Sequence, residues 1–198
     1  MNYSEEKSWE HFESVFNSKL PIKEAWGRII DFHEQIKPKK YWAELRQLEV
    51  EPEQEEIKEW MEDIVTLTPI PKNIVALWIG ITKIYDEEDK KEFYAIYLSG
   101  AKTYDKSYID WTAKPTYKPE ENFGILDVLN QMDQIIKNDK EDYSFLDWIL
   151  PLAYCALSID EIIRTNRLNK QHFVKANPKL FVTTGFDDGD FVNLTAIE

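Results

Sequence analysis

Three carboxylates, Asp187, Asp188 and Asp190, crowd the segment Gly185-Phe-Asp-Asp-Gly-Asp-Phe, and converging carboxylates are what a hard cation such as calcium or magnesium requires. Joined by Asp105 or Asp110 they would form a metal site, and a metal-dependent enzyme is one function such a site allows. Their spacing departs from the D-x-[DN]-x-[DN]-G calcium loop, however, and Asp and Gly are favoured in tight turns for backbone reasons alone. A structural turn is therefore the expected role, and no cofactor is expected. Other chemistry-bearing residues are sparse. His11, His33 and His172 have no metal-ligand spacing, and Cys155 stands alone in the apolar run Leu-Pro-Leu-Ala-Tyr-Cys-Ala-Leu. None of the six glycines belongs to a G-x-S-x-G elbow or a phosphate-binding loop. These residues point away from catalysis.

A second group has the composition of a contact surface. Residues 99–122 show neither strand alternation nor a sustained helical stripe, yet carry Tyr104, Tyr108, Trp111 and Tyr117 beside Asp105 and Asp110. Long connections inside compact domains are usually functional or disordered, and aromatics are depleted in disordered segments but enriched at binding hot spots. The loop is expected to meet a partner through these six residues. A third group is acidic. Ile57, Trp60, Met61, Ile64 and Val65 recur with the spacing of a core-facing helix, which sends Glu55, Glu56, Glu59, Glu62 and Asp63 to the opposite side as a negative surface.

The whole chain follows that bias, with 37 acids against 24 lysines and arginines and a net charge of −13 over 198 residues. Nucleic-acid binding is disfavoured because phosphates need a basic surface, whereas a basic protein partner is favoured by field complementarity. The amino terminus lacks a signal-peptide pattern, and the longest apolar run, 148–157, is about half a bilayer span and contains Pro151. No membrane association and a cytoplasmic location are expected.

The elements that must position these groups read as one α+β domain spanning 1–198, with 1–68 as a helical subregion. Helical periodicity marks 5–19, 22–36 and 53–67. Thr68-Pro-Ile-Pro71 then breaks the pattern, and β-branched and aromatic runs at 73–85 and 92–98 form a central hairpin. Helices follow at 122–137, with Asn122 or Asp127 as cap, and at 143–164. The second is apolar around most of its circumference and is expected to bend or start near Pro151. Short strands at 180–184 and 191–194 flank the Asp188-Gly189 turn. The expected sheet is antiparallel, built from the central hairpin and the carboxy-terminal strands, and packed against the buried helix.

Three stretches together, Tyr97-Leu-Ser-Gly with Tyr104-Asp and Asp110-Trp, then Pro-Leu-Ala-Tyr-Cys-Ala-Leu-Ser-Ile-Asp-Glu-Ile-Ile, then Gly185-Phe-Asp-Asp-Gly-Asp-Phe, resemble an uncharacterised family of bacterial cytoplasmic proteins. Some of its members look like the immunity proteins that accompany polymorphic toxins. The resemblance covers roughly 75–195 and departs at Thr112-Ala113, where a cysteine or other polar residue often follows the Asp-Trp pair. It implies an acidic protein-binding module that neutralises a cognate toxin domain by direct binding, with the loop aromatics as anchors and the acidic helix as steering surface. A non-catalytic regulatory scaffold is the other binding-class expectation.

Overall fold

A computed structural model describes residues 2–198 apart from Asp89, Glu121, Ala176 and Asp188. The chain opens with four helices, α1 (Glu5–Asn17), α2 (Ile22–Ile36), α3 (Tyr41–Leu45) and α4 (Val50–Leu67), and continues into strands β1 (Ala76–Asp86), β2 (Lys91–Ala101) and β3 (Phe123–Ile125). Helices α5 (Asp127–Ile136), α6 (Tyr143–Arg164) and α7 (Lys170–Val174) precede the final pair, β4 (Phe181–Phe186) and β5 (Phe191–Asn193). The architecture is α+β, as the residue pattern dictates.

The five strands form one sheet in the order β3-β2-β1-β4-β5. Both expected hairpins are present, β1 with β2 and β4 with β5. The sheet is nevertheless mixed, because β4 lies parallel to β1 with Ala76 opposite Phe181. A parallel neighbour needs a crossover of a dozen residues or more, and α5, α6 and α7 supply it. Leu77, Ile79 and Ile81 of β1, with Ile96, Leu98 and Val182, join the core on the helical side. Trp78, Gly80 and Tyr97 belong to the other face by alternation. Gly80 is required there: a Cβ at this position would overlap the Tyr97 ring.

Helix α6 is the axis of the core. It packs on β1 and β4 with one side and meets α1, α2, α4 and α5 with the rest, so nearly every residue from Ile149 to Ile163 is buried. Pro151 neither starts nor ends it. The missing N–H frees the carbonyl of Asp147 four residues earlier, and the Tyr94 hydroxyl from β2 donates to that oxygen at 3.2 Å. No helix among the described residues is long and apolar enough to cross a membrane. Cys155 is fully buried. His33 is buried too, with Nδ1 2.8 Å from the Ile29 carbonyl oxygen, which accepts its proton, and burial lowers its pKa to about 4.

One acid of α4 leaves the surface. Glu53 is 4 % exposed; its Oε1 accepts the Val128 N–H at 2.8 Å and its Oε2 the Tyr154 hydroxyl at 2.5 Å. It thereby caps α5, whose own N-cap residue Leu126 has no side-chain acceptor, the role expected of Asn122 or Asp127. Burial pushes its carboxyl above the ordinary glutamate range. Replacing Glu53 with Ala strands two buried donors and is expected to destabilise the fold by about 2–4 kcal/mol in urea unfolding. Glu53→Gln retains an acceptor and should lose less. Because the folded-state pKa is raised, the stability contributed by the ionisable form is greatest below the usual glutamate value and declines as pH rises through the folded value. Wild type should therefore weaken relative to Glu53→Gln as pH rises above the usual glutamate range, and a pH-independent difference would contradict the assignment.

Candidate functional site

The 99–122 segment folds back over the sheet face opposite α6. Strand β2 extends into it as far as Ala101, and Tyr117 returns to bridge Gly100 through the Gly100 N–H to Tyr117 O and Tyr117 N–H to Gly100 O hydrogen bonds. Tyr117 is 3 % exposed and donates its hydroxyl to Thr68 O, which leaves its ring no surface to offer a partner. Tyr104 stacks on Phe181 with centroids 4.2 Å apart and donates to Asn193 Oδ1 at 3.0 Å. Trp111, in a 3₁₀ turn at Asp110–Thr112, sets its ring edge-on to Trp78 and Tyr104 and donates Nε1–H to Asp105 O. Asp105 accepts from Ser107 N–H within its own turn. Of the six residues expected to anchor a partner, these contacts tie Tyr104, Trp111 and Tyr117 to the sheet. Tyr108, 68 % exposed, and exposed Asp110 still face outward.

Under the loop lies a cavity of about 410 Å³ lined by Tyr97, Ser99, Asp110, Lys118, Asn122 and Asp187 among others. Asp187 also lines a cleft of about 620 Å³, whose walls include Lys83, Tyr94, Asp147, Trp148 and Phe186. The aspartate is placed by a relay: Trp78 Nε1–H donates to the Tyr97 hydroxyl at 3.0 Å, and that hydroxyl donates to Asp187 Oδ1. Asp190 turns elsewhere, its Oδ2 accepting from Trp148 Nε1–H at 2.9 Å. Asp188 lies outside the described residues. Among the described residues no three histidines, cysteines or carboxylates gather as metal ligands, so Asp187 and Asp190 are accounted for by separate hydrogen bonds.

The 620 Å³ cleft contains a group that residue spacing did not reveal. Lys83 Nζ donates to Asp133 Oδ1 at 3.0 Å, to Tyr143 OH at 2.8 Å and to both oxygens of Asp147 at 2.9 and 3.0 Å. The Tyr94 hydroxyl shares its one proton between Asp147 Oδ1 and the Asp147 carbonyl, and Tyr143 donates to Asp133. Burial opposes the ammonium charge, but the hydrogen bonds outweigh it and hold Lys83 above the usual lysine range. Burial likewise pushes the Tyr94 and Tyr97 phenols up. At neutral pH these groups supply fixed charge and hydrogen bonds rather than a base tuned for proton transfer. The available sequence signal was weak: one lysine in an apolar strand, and Asp147 four residues before a helical proline.

The acidic helix divides by function. Glu55 is neutralised by Lys58 at 2.7 Å and Arg167 at 2.9 Å, and Glu62 accepts the Asn169 N–H and lies 3.7 Å from Lys58. Glu56, Glu59 and Asp63 are exposed and have no ion-pair partner among the described residues. With Glu120 they rim a groove of about 370 Å³ that also contains Trp60, Ile64 and Leu67, the last 83 % exposed.

Lys83→Met removes the cation shared by Asp133 and Asp147 and is expected to lower unfolding stability by about 2–3 kcal/mol near neutral pH, discounted for partial exposure. The loss should be strongly coupled to that of Asp147→Asn in a double-mutant cycle, and additive losses would indicate a packing defect instead. Comparison with protein-family models, curated proteins and solved structures finds no significant match for this chain.

Proposed function

We propose that this chain is a protein-binding module that captures a basic partner on the α4 groove, most concretely a toxin domain neutralised in the manner of the immunity proteins its sequence resembles. The observation that carries the reading is the trio Glu56, Glu59 and Asp63, exposed and without an ion-pair partner among the described residues, beside the exposed Leu67. Like charges three and four positions apart repel along a helix. A cationic partner relieves that repulsion while Leu67 gives it an apolar contact. Long-range attraction to the −13 chain adds speed of capture. From the loop, Asp105, Tyr108 and Asp110 extend the available surface, and Tyr104, Trp111 and Tyr117 support it from beneath.

The direct test is co-expression with the carboxy-terminal domain encoded by the reading frame immediately upstream, followed by stopped-flow association of the purified pair. Rescue of growth is expected, with an association rate that falls as salt rises. The triple substitution Glu56→Lys, Glu59→Lys, Asp63→Lys should slow association by roughly 10- to 100-fold without lowering the melting temperature. Unchanged association by the folded triple variant would remove the groove from the interface. Failure of the wild type to protect cells would reject toxin neutralisation.

A further inference from the structure

The 620 Å³ cleft at the Lys83 end of the sheet is separate from the α4 groove and has its own recognition chemistry. We infer that it is a binding site for an organic cation, an alkylguanidinium or alkylammonium group. Its lining combines aromatic and apolar surface from Tyr94, Trp148, Phe186 and Ile81 with the carboxylates of Asp147 and Asp187. Aromatic faces and carboxylates together are the elements that hold such cations, the rings by cation–π attraction and the acids by charge-assisted hydrogen bonds.

The lysine in the wall does not reverse that preference. Its charge is met by two carboxylates, Asp133 at 3.0 Å and Asp147 at 2.9 Å, and Asp187 adds another in the lining. The cleft is thus net negative with its own cation included.

Preorganisation supplies the independent support. Asp187 is exposed in the turn after β4, where a carboxylate ordinarily samples many rotamers in water. Here the Trp78–Tyr97 relay holds its Oδ1, and among the described residues its Oδ2 takes no hydrogen bond. Trp148 is equally fixed, by its bond to Asp190, by Phe145 edge-on at 5.6 Å and by Trp9 stacked at 6.4 Å. A flat wall and an aligned acceptor, both immobilised before any ligand arrives, lower the ordering cost of binding. On the far side of Asp187 the smaller cavity adds Asp110 and Lys118, leaving the charge balance unchanged. A protein side chain and a free polyamine share this chemistry.

The test follows the Trp148 indole N–H resonance, assigned with Trp148→Phe, during titration with N-acetylarginine amide, N-acetyllysine amide, spermidine and the neutral isostere N-acetylcitrulline amide. Saturable shifts are expected with the cations and none with citrulline. Asp187→Asn should weaken binding by roughly tenfold or more at an unchanged melting temperature. A stronger response to the arginine or lysine amide assigns a protein side chain as the source, and a stronger response to spermidine assigns a free polyamine. Equal shifts with citrulline, equal affinity of the Asp187→Asn protein, or no saturable response to any cation would overturn the site. The α4 triple-lysine variant should still bind these probes, so failure here and failure of the groove are separable.

Discussion

Helices α2 and α5 begin after residues that have no side-chain acceptor, Pro21 and Leu126, and carboxylates from other helices complete them. Glu161 of α6 accepts the Ile22 N–H at 2.6 Å, and Glu53 of α4 accepts that of Val128. Helix amino termini carry unsatisfied donors and partial positive charge, so each carboxylate is matched in both respects. Gln54 joins the two systems by donating to Glu161 at 3.0 Å. Four helices are thereby held in one mutual position by groups that apolar packing alone would not align. The same device limits tolerance, since a shift of α4 along its axis would uncap α5.

Around α6 a second chain of dependence runs from backbone to surface. Pro151 frees the Asp147 carbonyl, Tyr94 satisfies it, and Tyr94 and Lys83 together hold the Asp147 side chain. A helix defect and a charged cluster are therefore one structure. Asp160, 2 % exposed, does similar work at the other end, accepting from Lys19 and from the Thr195 N–H and hydroxyl. The acidity of this chain is consequently not uniform: some carboxylates cap helices, some neutralise partly buried cations such as Lys83, and a remainder, with Glu56, Glu59 and Asp63 foremost, faces solvent.

Periodicity made much of this visible in the residues. The second helix and the sixth match their apolar stripes end to end, and both hairpins lie where alternation and turn residues placed them. What stayed hidden was short or long-range. Strand β3 has three residues and lies within the stretch read as the start of a helix, while α3 and α7 have five each, too few for a period to register. The parallel pairing of β4 depends on tertiary packing, as does the capping by Glu53, one of several glutamates in the same helix. At the site, Asp187 was legible as a carboxylate in a turn, but its partner Tyr97 lies 90 positions away. Trp111 stood out because no periodicity explained it, and the explanation is the flat sheet face that it covers.

The parallel seam between β1 and β4 also sets an order of assembly. The β1–β2 hairpin is local and can close early, whereas the strand that completes the other side of β1 arrives roughly a hundred residues later. Until then Leu77, Ile79 and Ile81 belong to a strand with one open edge, the kind of surface that templates pairing between chains. Helix α6 lies between β1 and β4 in the chain and packs on both, so β4 docks beside β1 across a long sequence separation. Conditions that slow that docking would be expected to favour aggregation through β1 over loss of secondary structure.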